Sequence, residues 1–244
     1  MPVPSRNIFS HKEEYIMNLA LLCNALHKIA EEVYYTGLEE FGEVSQAFQK
    51  GTVGSSTMPQ KINPKLAKGI IATSQNLYSL AYHDALTGLP NRMFLDTLLK
   101  MRFSEYHRLH RLFAVLFADI DHFHDFNGKY GHPAGDRMLK AFAHAATHSI
   151  RSTDTLGRWG GEEFIGIYPI KNRSDIIPIA NRFQHMVEQS FIHHEEHPLH
   201  ITMSVGITAV QEGDTPESII QRADDYMYEA KKKGRNTIVH DEVE

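Results

Sequence analysis

Cysteine is nearly missing from this chain. Cys23 is the only one in 244 residues, so no disulfide framework holds the fold and a reducing compartment is expected. Excess positive charge is missing too: 25 lysines and arginines stand against 30 aspartates and glutamates, a net charge of −5. That balance argues against a surface that wraps a nucleic-acid polymer, so an anionic substrate has to be held by a few placed cations or metals. The most apolar N-terminal run, IMNLALLCNAL at 16–26, falls well short of the ~20 residues a membrane span needs. It follows Lys12, Glu13 and Glu14 and has no small-residue cleavage site, which argues against a secretory signal. The expectation is a soluble, cytoplasmic protein of one or two domains with a sizeable core.

What is present changes character near residue 83. Before it, Ile16, Leu19, Cys23, Leu26, Ala30 and Val33 recur at spacings of three and four, one face of a long helix. KGTVGSSTMPQKINP at 50–64 reads as a loop. A second helix is expected from Lys65 to about Tyr82, with a short coiled-coil seam of Leu66, Ile70, Thr73, Leu77 and Leu80. The expected division is therefore an all-helical segment at 1–82, a dimerisation element, and a second domain at 83–244.

After DALTGLPNR (84–92) the pattern alternates. Helices are expected over Phe94–Leu112, Gly135–Arg151, the stretch IIPIANRFQHMVEQSF and PESIIQRADDYMYEAKKK. Strands are expected at FAVLFADI (113–120), on both sides of the GGEE turn, at HITMSVGITAV and at NTIVH. The layering predicts an α+β fold, helices on one face of a mainly antiparallel sheet.

The stretch RWGGEEF at 158–164 is more than a hairpin turn requires. Asp119 and Asp121 close a buried strand, and Glu162 and Glu163 arrive on the hairpin tip. Three or four carboxylates meeting there repel one another unless a cation intervenes. Oxygen ligands of this hardness suit Mg²⁺ or Mn²⁺, with waters and substrate phosphates completing the shell. Gly160 and Gly161 let the backbone approach a charged or flat ligand. A surface hairpin with solvated acids is the competing account of this motif taken alone.

DIDHFHDFNGKYGHPAGD (119–136), GGEEF, DALTGLPNR and RADDYMYEAKKKGRN (222–236) together resemble the GGDEF family of diguanylate cyclases over about residues 80–240. The resemblance implies a cyclase-like five-stranded sheet surrounded by helices. It implies a nucleotidyltransferase that joins two GTP molecules into cyclic di-GMP, releasing two pyrophosphates, across a homodimer. Carried onto these positions, it makes Asp119, the Ile120 carbonyl and Glu162 metal ligands, with Glu163 as a further ligand or as base. Phe123, His124, Asn127, Asp136 and Gly161 would line the substrate site, with Asn127 and Asp136 reading the guanine edge. Lys231 and Arg235, one helical turn apart, would face the β- and γ-phosphates. His124 replaces a lysine usual in the family, which would weaken phosphate binding rather than the chemistry. Gly128 replaces an aspartate. The alternative is a GGDEF module that binds GTP or cyclic di-GMP without turnover.

RSTD at 151–154 stands at the offset of the family's inhibitory site, where the product docks; Arg151, Asp154 and Arg182 would hold it. Residues 12–72 resemble a fragment of the fumarase, argininosuccinate lyase and adenylosuccinate lyase superfamily, with GSSTMPQKINP as its loop. That likeness would make Ser55 or Ser56 a base and Lys61 and Asn63 substrate contacts. Its other active-site regions have no counterpart in this chain, and Lys68 stands where a glutamate is expected. A borrowed helical pair for assembly is the simpler reading. HHEEHPLH (193–200) is expected to be a solvated helix end, and Trp159 a packing aromatic.

Overall fold

The structure, a computed structural model, describes residues 22, 25–29, 71–73, 78–195 and 197–242. The chain divides into two units, Met1–Ala81 and Tyr82–Glu244. In the first, every described residue is helical, and Leu22, Leu26 and Ile29 form an exposed apolar stripe at helical spacing. Most of the expected N-terminal stripe (Ile16, Leu19, Cys23, Ala30, Val33), the seam positions Leu66, Ile70 and Leu77, and the loop residues Ser55, Ser56, Lys61, Asn63 and Lys68 lie outside the described residues.

The second unit runs α1 (Arg92–Leu109), β1 (Phe113–Ile120), α2 (Phe123–Tyr130), α3 (His132–Ser149), β2 (Thr155–Gly160), β3 (Glu163–Pro169), α4 (Ile176–Glu188), β4 (Phe191–His194), β5 (His197–His200), β6 (Met203–Ala209), α5 (Pro216–Lys232) and β7 (Ile238–His240). Five strands form the main sheet in the order β2-β3-β1-β6-β7. All neighbours are antiparallel except β6 and β7, which are parallel.

Helices cover both faces, not one. Strand β1 is buried along its whole length, and its alternation divides its side chains between two cores. Ala114, Leu116, Ala118 and Ile120 join Met138 and Phe142 of α3 and Phe183 of α4. Phe113, Val115 and Phe117 join Leu95 and Leu99 of α1 and Ile219 and Met227 of α5. A strand buried on both faces is a continuous apolar run, so FAVLFADI carries no sign of which face lacks helices.

Three local expectations change. Helix α3 starts earlier than Gly135, because Pro133 is tolerated in a first turn, and it ends before Arg151. FHDFNGKY forms the short helix α2, which a mid-helix Gly128 disguised. HHEEHPLH is not a helix end: β4 and β5 pair as an antiparallel hairpin with Phe191 opposite His200 and His194 opposite His197.

Candidate active site

The site forms where β1, β3 and the end of α5 meet. Register places Asp119 of β1 directly across from Glu163 of β3. Gly160 pairs with Glu163, so Gly161 and Glu162 make a two-residue connection, and Gly161 takes the positive φ of 41° that such a turn favours. The arginine before the glycines fixes this tip. Arg158 donates to the Gly161 carbonyl from Nε (2.9 Å) and Nη2 (2.6 Å), and through Nη1 to both oxygens of Asp84 (3.1 and 3.2 Å). Asp84 also accepts from the Thr87 amide and hydroxyl at 2.8 and 2.7 Å. Burial pushes Asp84 up, but these Thr87 bonds and then Arg158 outweigh it and hold its carboxyl below the ordinary value. DALTGLPNR is thus a folded turn clamped to the hairpin. Trp159 packs against the α1/α5 core with the Arg92 guanidinium 4.3 Å from its ring centre, as a packing aromatic should.

The two strand-end aspartates part ways. Asp121 accepts from Thr202 Oγ1 (2.7 Å), Ser204 Oγ (2.7 Å) and the Asn236 amide (3.0 Å), so it ties β1 to β6 and to the turn after α5. Its oxygens are taken up by these structural bonds, although its charge still helps to raise Asp119. Asp119 pairs with Lys231, whose Nζ lies 2.8 Å from Oδ1, and also feels the Arg235 guanidinium. Burial pushes Asp119 up more than Lys231 pulls it down. Glu163 is raised by burial and then by the Asp119 and Asp224 carboxylates. Asp224 is itself raised by burial, Asp225 and Asp119.

This acidic set exceeds its local cations, which is the electrostatic signature of a cation site. Among the described residues no three His, Cys, Asp or Glu side chains enclose a metal on their own. Two carboxylates and a carbonyl, completed by water and phosphate oxygens, still fit a hard divalent cation. Asp224 escaped the sequence reading; its position seven residues before Lys231, two turns along the same helix face, is the signal that could have found it.

Asn127 sits on α2 with its Oδ1 buried and without a partner. Gly135 lies so close that any Cβ there would run into that oxygen. A buried unpaired acceptor costs about 1–3 kcal/mol, and a ligand N–H would recover it. Phe123 is buried and stacked on Phe126 with rings 7° from parallel. His124 and Asp136 are exposed. Arg235 is not one helical turn from Lys231: α5 ends at Lys232, and Gly234, Arg235 and Asn236 all have positive φ, reversing the chain. The Arg235 amide donates to the Ala230 carbonyl at 3.1 Å, which holds the reversal next to Asp121.

The second cluster lies at the far end of the hairpin. Arg151 is in the turn between α3 and β2, not on a helix. Asp154 pairs with Arg182 Nη2 at 2.8 Å, while Arg151 contributes its amide (3.2 Å) and keeps its side chain exposed. Ile150, Tyr168, Ile179, Phe183 and Met186 line a hollow with Arg182. Burial, then the nearby Asp154, pushes the Tyr168 hydroxyl far above its ordinary value.

The family model described as diguanylate cyclase, GGDEF domain, matches residues 81–237, and a lyase family model matches residues 10–76. The chain is 38% identical over 167 residues to the response regulator PleD of Caulobacter vibrioides, covering 66% of this chain and 36% of PleD. It is 36% identical over 172 residues to the bifunctional diguanylate cyclase/cyclic di-GMP phosphodiesterase MucR of Pseudomonas aeruginosa, covering 70% and 25%. The chain thus spans about a quarter to a third of the length of these relatives. The GGDEF domain of DgcB from Caulobacter crescentus, solved with c-di-GMP, superposes with a TM-score of 0.62 at 28% identity, covering 66% of this chain and 95% of that one. Diguanylate cyclase SiaD from Pseudomonas aeruginosa, solved with its activator SiaC, gives 0.65 at 26% identity, covering 97% and 88%. No helix among the described residues is long and apolar enough to cross a membrane.

Proposed function

The chain belongs to the GGDEF family of diguanylate cyclases, and we propose that it condenses two GTP molecules into cyclic di-GMP, releasing two pyrophosphates. The observation that carries this reading is the surplus of carboxylate at the buried Asp119 and the half-buried Glu163, beside a hairpin tip clamped by Arg158. Asp119, the Ile120 carbonyl and Glu162 would hold a magnesium or manganese ion, which supplies Lewis-acid polarisation of the phosphate when bound. Glu163, raised above an ordinary glutamate by burial and its acidic neighbours, accepts the proton of the attacking 3′-hydroxyl. Each 3′-oxygen bonds to the α-phosphorus of the other GTP as the bond to the β-phosphate breaks. Lys231 and Arg235 take the charge of the leaving pyrophosphate. The orphaned Asn127 oxygen accepts a guanine N–H, with Asp136 as its companion, Phe123 shaping the wall, Gly161 allowing close approach and His124 facing the phosphates.

One domain holds one GTP, so two domains face each other across a two-fold axis. The helical segment at 1–82 serves as the dimerisation element, and the exposed stripe of Leu22, Leu26 and Ile29 supports that role. Arg151, Asp154 and Arg182 bind the product and inhibit. A cytoplasmic location suits a chain with one cysteine.

The test is incubation of the full chain with GTP and Mg²⁺ over a dilution series, with the product identified by mass spectrometry. Cyclic di-GMP formed at a rate that rises more steeply than protein concentration is the expected result. GTP binding without any product would favour the binding-module alternative, and constant specific activity down to proven monomer would remove the two-domain mechanism.

A further inference from the structure

Sixteen histidines are many for this chain, and the cyclase reading uses only His124. Three of those in the β4–β5 hairpin pack against aromatic rings. His194 meets Tyr130 edge-on at 5.3 Å, and His193 and His200 lie 5.4 and 5.6 Å from the Phe191 ring. One pair is different. His144 and His148 lie one turn apart on the exposed side of α3, opposite the buried Phe142 and Ala146, with ring centres 4.4 Å apart. His148 Nδ1 donates to the His144 carbonyl at 2.7 Å. That bond fixes the tautomer and leaves Nε2 with a free lone pair, the arrangement metal-ligating histidines adopt.

We propose that His144 and His148 form a binding site for a late first-row divalent cation such as Zn²⁺, Ni²⁺ or Cu²⁺. Two histidines at i and i+4 on a helix are the spacing of the metal pair in H-E-x-x-H sites. Here Ala145 stands where that motif carries its glutamate base, so the site binds metal without a hydrolytic group. Imidazole donors select zinc, nickel or copper over magnesium, whereas the carboxylate site near Asp119 prefers the harder ion. The two sites therefore load independently. Water fills the remaining coordination positions, since no third His, Cys, Asp or Glu joins the pair among the described residues. The pair bridges the last turns of α3, the helix that leads into Arg151–Asp154, so metal binding pins the approach to that turn.

The experiment is calorimetric titration of the full chain with Zn²⁺ in excess Mg²⁺, paired with thermal melts. Parent protein, His144→Ala, His148→Ala and, as a control on the hairpin, His197→Ala are compared. All three positions are exposed, so the variants fold. The expected result is one Zn²⁺ event that also raises Tm, lost in both α3 variants and retained in His197→Ala. Equal zinc binding by the parent and His148→Ala, or loss confined to His197→Ala, overturns the site.

Discussion

Helix α5 places a cation among buried acids at each of its two ends, with opposite results. Near its start, Arg222 uses its whole guanidinium. It bonds both oxygens of Asp214 at 2.7 Å, the Thr208 hydroxyl at 2.8 Å and the Ala209 carbonyl at 3.1 Å. Asp241 closes the network through Thr208 and the Ala209 amide, all at 2.8 Å. Burial alone would raise Asp214, but the Arg222 hydrogen bonds win and hold it low. At the other end Lys231 offers a single ammonium to Asp119, and Asp119, Glu163 and Asp224 are all pushed up, in each case first by burial. A closed network stabilises the fold. An open one lowers stability until a ligand supplies the missing charge, and that difference separates a structural corner from a binding corner.

The signs of pH dependence follow. Asp214 has a folded pKa below its unfolded one, so its contribution is present above about pH 3.9 and is lost as pH falls through the lower folded value. The raised acids behave in reverse. Their ionisation costs stability as pH rises from about 4 through their folded values, and divalent metal offsets that cost. The sharpest way to break the contrast is Asp119→Asn. Product formation should fall about 100-fold or more, because several kcal/mol of charge stabilisation is lost. The metal-free variant should melt no earlier than the parent at neutral pH, and Mg²⁺ should no longer raise its Tm. At the other end, Asp214→Asn should cost about 2 kcal/mol in urea unfolding. That lies below the usual loss for a broken buried pair because Arg222 keeps its other partners, and activity per folded molecule should be unchanged.

A third arginine–acid pair stands between these extremes. Arg182 gives Asp154 one nitrogen, and the Arg151 side chain stays exposed, so both retain donors for a guanine edge. Arg151→Ala should weaken product inhibition while sparing the initial rate. Loss of one bidentate guanine contact is worth about 1–3 kcal/mol by analogy with DNA readout, or roughly five- to 150-fold. Progress curves with added cyclic di-GMP check this; equal slowing of variant and parent would reduce Arg151 to a surface charge.

The sequence made some of this legible and hid the rest for physical reasons. The five strands and the hairpin tip are local features, written in runs and turns, and Asp119 could be placed because it ends one such run. Its neighbour Asp121 has the same spacing logic, but its role depends on Thr202, Ser204 and Asn236, which only the fold brings to it. The helices on the second face were missed because a strand buried on both sides loses its alternation. Arg235 was placed on the helix because periodicity shows no left-handed reversal, although Gly234 signals one. The histidine hairpin was misjudged because polar imidazoles obscured a β pattern whose rings pack on Phe191 and Tyr130.

The clamp between Arg158 and Asp84 joins residues 74 positions apart, and it supplies the smallest of the expected effects. Arg158 is a positioning residue: its fork spans the Gly161 carbonyl on one side and Asp84 on the other, holding the connection that carries Glu162. Arg158→Lys keeps the charge but cannot span both partners. Turnover should fall about tenfold, since small misplacement of a catalytic group is costly, with GTP KM and Tm little changed. Asp84→Asn should give a similar loss, and the double variant should be no worse than either alone, because each breaks the same link. Losses that simply add would mean that Arg158 and Asp84 act separately, leaving the hairpin tip to hold its own shape.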